Sequence, residues 1–402
     1  MTVWFKPGLK TVRNNRLIVS LAFLCLLGVT GSAAAVLGGL ETGTGQDERA
    51  DEGTPAGSTK GGSVRADSAA GEQETPSART AAIVPLPVAG ADRGFLARPE
   101  KSILDRLREA EIAKVTRSSV GRSVAFKITL RDGTRGYYKP EQSFSSANWY
   151  AEVVAYYLDR ALGLGLVPPV VSRRLPWSRL RKCSRNKERF DEVRVSEDGT
   201  VRGAFIWWLP KRLREIDIHP GWENWIRIEP WQSWRITPFQ RPCHYTRELE
   251  NWRQHGGNDP KHFFQQVPEP DREDRAAELS DLIVFDYLTL NNDRWGGGNA
   301  NVLTYGKDRR LIFLDNGAGF SPGPPKRGLM QDRLRVLQRF RRSTIEALRA
   351  FDVDSFADTL ARDRLAPLLG EGDLKGLEIR RQSVLDRVQE LQKSLGDDVL
   401  SW

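Results

Sequence analysis

The chain is poor in the residues that build bridge-held or zinc-held scaffolds: of 402 residues, three are cysteine and four histidine. So few cysteines exclude a disulfide framework, and hydrophobic packing must hold the fold together. Cys25 falls in an apolar run, which leaves Cys183 and Cys243 either to pair in an oxidising compartment or to stay as two reduced thiols. His219, His244, His255 and His262 match no zinc-ligand spacing with those thiols. What is present points to a globular protein with appendages. An apolar fraction of 39% with 12 Trp and 16 Phe is enough for a sizeable core, and the length allows one large domain or two ordinary ones plus tails. A formal charge of +9 suits acidic partners such as nucleotides, phosphates or anionic membrane, without choosing among them.

Charge is missing altogether between Leu17 and Leu40, after a tail (residues 1–16) that carries Lys6, Lys10, Arg13 and Arg16 and no acid. As a helix that run is ~36 Å long, enough to cross a hydrocarbon core of ~30 Å. The positive flank keeps the N-terminus in the cytoplasm and sends the rest across, as a single-pass type II anchor. A cleaved signal peptide is the rival reading, since Ala33, Ala34 and Ala35 offer an A-x-A site. Residues 41–97 lack apolar periodicity and read as a flexible stalk, so the folded part begins near residue 98.

Four segments of that part carry chemistry. Residues 123–130 and 135–139 read as a hairpin turning at Asp132-Gly133 and ending on Lys139. Next comes a helix capped by Ser145 or Ser146, with Val153, Val154, Tyr157, Leu158, Ala161 and Leu162 at helical spacing and Glu152 in its first half. A strand-borne Lys fixed by a helix-borne Glu is the pair that holds the α and β phosphates in protein kinases. Residues 279–290 form a third piece, an apolar helix running into Asn291-Asn292-Asp293-Arg294-Trp295 and then a glycine-rich stretch before a strand at 302–305. Asp293 fits a base that orients and deprotonates a hydroxyl, and Asn301, or Asn299 with a shifted register, fits a metal ligand beyond it. The fourth piece is a strand, Leu311 to Leu314, ending in Asp315-Asn316-Gly317. One short hairpin separates the two acids, so Asp315 would converge with Asp293 and hold a divalent ion on the phosphates.

These pieces resemble the secretory-pathway kinases, most of all the four-jointed box kinases, over most of residues 120–320. The resemblance rests on Tyr138-Lys139-Pro140, AEVVAYYLDRALGLGLVPPVV (151–171), WWLP (207–210), DLIVFDYLTLNNDR (281–294) and FLDNGAGF (313–320). It implies an α+β, two-lobed, atypical protein-kinase-like fold, with a small β-rich N-lobe (about 98–205) and a larger helical C-lobe (about 206–402). It further implies an ATP-dependent kinase acting on Ser or Thr of secreted or membrane proteins, anchored in the Golgi membrane with a lumenal catalytic domain. A bacterial source would place that domain on the extracytoplasmic face instead. No nucleic acid is expected as a partner. By residue, Lys139 would contact ATP with Glu152 paired to it, Asp293 would be the base, and Asp315, Asn301 and Glu152 would serve manganese or magnesium. Two features depart from the pattern. No G-x-G-x-x-G precedes the hairpin, where Gly121 in SSVGRS is the glycine available to cover the phosphates. Trp295 and three glycines also stand where many relatives carry His.

Seven tryptophans fall between Trp207 and Trp252, read either as packing for a long insert or as a substrate platform. The platform reading motivates a sugar hydroxyl as alternative acceptor. The two departures motivate a second alternative, a membrane-tethered pseudokinase scaffold. Residues 329–351 read as one helix with Arg333, Arg335, Arg339, Arg341, Arg342 and Arg349 mainly outward, and a last helix spans about 374–395.

Overall fold

The computed structural model describes residues 94–118, 121–216, 221–230, 238–239, 254, 256, 269–295, 301–320 and 327–402. The basic tail, the apolar run, nearly all of the stalk, the four histidines, Cys243 and Asn299 lie outside the described residues. Among the described residues, no helix is long and apolar enough to cross a membrane. Phe95, which composition assigns to the end of the stalk, is buried, and the Leu96 N–H donates to the Gly165 carbonyl at 2.8 Å.

Five antiparallel strands build the smaller layer: β1 (Ile112–Arg117), β2 (Phe126–Leu130), β3 (Arg135–Pro140), β4 (Val170–Pro176) and β5 (Thr200–Trp207), in the order β1-β2-β3-β5-β4. The expected hairpin is β2–β3, and Asp132 accepts both the N–H and the hydroxyl of Thr134 at its turn. Alternation along β2 sends Phe126, Ile128 and Leu130 into the core. Gly203 lets β5 come close to β3 where Lys139 sits. A Cβ there would lie 2.5 Å from the Lys139 carbonyl oxygen and 2.6 Å from the Tyr138 ring.

Against this sheet lie α1 (Lys101–Glu109), α2 (Trp149–Ala161) and α3 (Trp177–Arg181). The start of α2 is set by Asn148 rather than by Ser145 or Ser146. Its backbone N–H donates to the Gly317 carbonyl at 2.8 Å and its side-chain amide to that of Gly319 at 3.2 Å, so tertiary partners override the local cap.

The larger, helical part contains α4 (Arg275–Thr289), α5 (Arg327–Val336), α6 (Arg342–Ala350), α7 (Val353–Ala361) and α8 (Glu371–Leu395). All 15 residues of α4 are buried, which demands a partner for each of its charges. Glu278 pairs with Arg275 and Arg310, Asp281 with Arg341 and Thr344, and Asp286 with Arg294. Beside α4 the expected two-stranded ribbon is three-stranded: β6 (Leu213–Glu215) joins β7 (Leu303–Tyr305) and β8 (Arg310–Ile312). Together the sheet and the helical part make the expected two-lobed α+β fold.

The single helix expected over 329–351 is instead α5 and α6. The amides of Gln338 and Arg339 donate to the Ile226 carbonyl and that of Phe340 to Val399, which removes them from a helical ladder. Arg333, expected outward, is 4% exposed and stands over the Phe239 ring, and burial pulls its guanidinium down to about 10. Trp222 behaves as packing: it is 1% exposed and stacks on Trp295 with centroids 5.3 Å apart. Trp231, Trp234 and Trp252 lie outside the described residues.

Candidate active site

Neighbouring side chains on a strand point to opposite faces, so Tyr138 enters the core above the sheet while Lys139 faces α2. There its ammonium meets Glu152 Oε1 and Asp315 Oδ1, each at 2.5 Å. Burial works against a charged amine, but Asp315 and Glu152 more than offset it and hold Lys139 above its usual range. In return the Lys139 charge holds the Asp315 carboxyl below the usual carboxylate range, against the opposing effect of burial. Glu152 is 2% accessible, whereas Asp315, although ringed by protein, keeps 51% of its side chain open. That contrast describes one acid built into the floor and one on the wall of a cleft.

Asp315 follows β8 with φ at +60°, a left-handed backbone that Asp tolerates better than most residues and that concentrates at functional sites. It is held there from behind. Asn291 donates to the Asp315 carbonyl at 3.2 Å and accepts the N–H of Asp293 at 3.3 Å. Arg294 grips Asp286 with Nε at 2.9 Å, Asn316 Oδ1 with Nη2 at 2.6 Å, and the Leu314 carbonyl with Nη1. The loop bearing Asp293 and the segment bearing Asp315 are thereby fastened to each other and to α4. Asp293 itself is exposed. Gly317 brings its backbone under α2, where a Cβ would lie 3.4 Å from Glu152 Oε1.

Lys139, Glu152 and Asp315 therefore meet directly, and Asp293 is joined to them through Asn291 and Arg294. Asn301 and Gly121 are placed by the path of the chain alone. Asn301 stands two residues before Leu303, whose partner Ile312 is three residues before Asp315. Gly121 lies exposed in the β1–β2 connection with φ at +86°. Sequence reasoning missed Asn291, Arg294, Asn316 and Asp286. The signal available for the last was an acid in the middle of an apolar helix, LIVFDYLTL, which has to meet a buried cation.

Among the described residues, no group of three His, Cys, Asp or Glu is gathered to hold a metal by itself. The donors that meet at Lys139, the carboxylates of Asp315 and Glu152, are hard oxygens. They fit Mg²⁺ or Mn²⁺ of the kind that completes its shell with substrate phosphates and water.

Residues 182–399 match the family described as "Golgi casein kinase, C-terminal, Fam20". Lys139 and Glu152 precede the matched span, so their identification rests on geometry. Among curated proteins, the human "Extracellular serine/threonine protein kinase FAM20C" is 23% identical over 335 residues, covering 72% of this chain and 54% of its own length. The mouse "Four-jointed box protein 1" is 27% identical over 251 residues, covering 58% of this chain and 47% of its own. The chain thus spans about half the length of the curated relatives it matches. A Golgi casein kinase solved with Mn and ADP shares the fold at a TM-score of 0.54 and 18% identity, over 76% of this chain and 80% of that one. A hydra Fam20 solved with sugar does so at 0.53 and 19%, over 76% and 93%. With more than half of its residues inside the match, the chain belongs to the Fam20 family.

Proposed function

We propose that the chain is an ATP-dependent kinase that passes the γ-phosphate to Ser or Thr hydroxyls of exported proteins. The observation that carries this reading is the Lys139 ammonium shared at 2.5 Å between Glu152 and Asp315, with the Asp293 loop fastened to the same segment. Lys139 binds the α and β phosphates, exchanging its contact with Asp315 for phosphate oxygens while Glu152 keeps the amine aimed. Gly121 leaves the β1–β2 connection free to approach the phosphates. Asp293 orients the acceptor hydroxyl and takes its proton as the new O–P bond forms and the β–γ bridging bond breaks, releasing ADP. Asp315, with Glu152 and Asn301, would hold Mn²⁺ or Mg²⁺. When bound, the ion neutralises charge on the phosphates.

The named activity of the human relative, and the Mn and ADP in the solved casein kinase, support the choice of phosphotransfer, nucleotide and metal. The place of action follows the same relatives: the exocytic lumen, with the Leu17–Leu40 run as a type II anchor on the membrane and the residues between it and Phe95 as its stalk. The deciding experiment is transfer of labelled phosphate from ATP to a secreted-protein extract. Wild type should label and Asp293→Asn should lose ~10²–10⁴-fold, and equal labelling by both would remove Asp293 from its role. A scaffold without catalysis is tested by melting the protein with ATP and manganese. Nucleotide at 100 times its dissociation constant should stabilise by ~2.7 kcal/mol, and stabilisation without metal-dependent turnover would leave a binding module only.

A sugar acceptor is the second reading, favoured by the hydra relative solved with sugar. Mass spectrometry of glycans and peptides after incubation with ATP separates the two, because phosphate confined to peptide excludes a sugar acceptor.

A further inference from the structure

The sheet carries its functional lysine on a straight row. Lys139 of β3 pairs with Ala204 of β5, which pairs with Ser172 of β4. Residues directly opposite one another in antiparallel strands project from the same face, so the face that offers Lys139 to α2 offers Ser172 as well. Ser172, 4% exposed, donates its hydroxyl to Asp363 Oδ1, and Tyr157 of α2 donates its own to Asp363 Oδ2 at 3.1 Å. Hydrogen bonds to a carboxylate are the strong kind, and here two of them tie a strand and a helix to one acid.

Asp363 is itself fixed by the C-terminal lobe. It lies between α7 and α8, donates its N–H to the Leu360 carbonyl at 3.1 Å and accepts the Leu365 N–H at 2.9 Å. Tyr157 stands five residues, ~7.5 Å, along α2 from Glu152. At the other end of the helix, Asn148 and Tyr150 bind the carbonyls of Gly317, Gly319 and Phe320. The helix that carries Glu152 is therefore tied to the C-terminal lobe at both ends, and at the Asp363 end the sheet is tied with it.

We propose that Asp363 is a positioning residue for phosphate transfer: by gripping Ser172 and Tyr157 together it keeps α2 where Glu152 meets Lys139, leaving no swung-out helix for an activation step to correct. This rests on the kinase reading above. The test combines amide hydrogen exchange of α2 with steady-state kinetics, on the full chain, for wild type, Asp363→Ala and Asp363→Asn. In Asp363→Ala the amides of residues 149–161 should exchange at least about tenfold faster while those of α4 stay as in wild type. The turnover number should fall about tenfold with the acceptor KM unchanged. Asp363→Asn, which keeps one acceptor oxygen, should recover part of both. Should Asp363→Ala fail to fold, Tyr157→Phe with Ser172→Ala removes the same two bonds at little change in shape and reads the same quantities. Wild-type protection of α2 in a folded variant lacking these bonds overturns the proposal, as does a loss spread evenly over α2 and α4. Exchange is read without turnover, so a wild type that transfers no phosphate would sink the kinase reading separately from the latch.

Discussion

The Arg294 and Lys139 clusters each place a cation between acceptors, and they differ in one respect. Arg294, 0% exposed, holds Asp286, 1% exposed, together with Asn316 and the Leu314 carbonyl, and the side chains of Arg294, Asp286 and Asn316 are all closed to solvent. Lys139 holds Glu152 and Asp315, and Asp315 is 51% exposed. A sealed pair has nothing to exchange its partners for. A pair with one open carboxylate can surrender it to an incoming phosphate and metal. Both clusters bury charge, while accessibility of one member marks the cluster we propose for the chemistry.

The comparison breaks most visibly at Arg294. Arg294→Ala leaves Asp286 buried without its cation, which should cost ~3–5 kcal/mol of stability. Equilibrium unfolding in urea measures it, and a loss under about 1 kcal/mol would show that Asp286 finds water or another partner. Asp315→Asn should act in the opposite sense. The half-open side chain contributes little to the fold, so the unfolding midpoint should hardly move while phosphate transfer drops ~10²–10³-fold. If Asp315→Asn unfolds the protein as Arg294→Ala does, the distinction drawn between the two clusters is wrong.

The Lys139 cluster was legible in the sequence because each member sits on an element with a strong local signature. Lys139 ends a hairpin, Glu152 lies on an amphipathic helix, and Asp315 closes an apolar strand. The holding cluster was not, because Arg294 takes Asp286 from α4 and Leu314 and Asn316 from the segment after β8. The same holds for Asp363, whose partners lie on α2 and β4 far upstream. It also explains the break between α5 and α6, where the carbonyls that claim the amides belong to Ile226 and Val399. Periodicity reports which face of an element is apolar; it carries no record of which distant carbonyl will take an amide out of the helix.

The smallest effect sharpens the comparison by sign alone. The Lys139 charge depresses the Asp315 carboxyl from its ordinary 3.8, so its contribution to stability is complete above that value and is lost as pH falls through the lower folded value. Asp286 is shifted the other way, because burial outweighs the pull of Arg294. Its charge costs stability above the raised folded value, and acid relieves that cost. Urea midpoints for wild type, Asp315→Asn and Asp286→Asn between about pH 7 and pH 3 should therefore show opposite trends. Wild type should lose its advantage over Asp315→Asn as the acid limit is approached, and gain relative to Asp286→Asn over the same titration. Because Asp315 is half open, the first trend will be the shallower of the two. Parallel trends would mean that the two acids share one environment, and accessibility would then no longer tell the working carboxylate from the structural one.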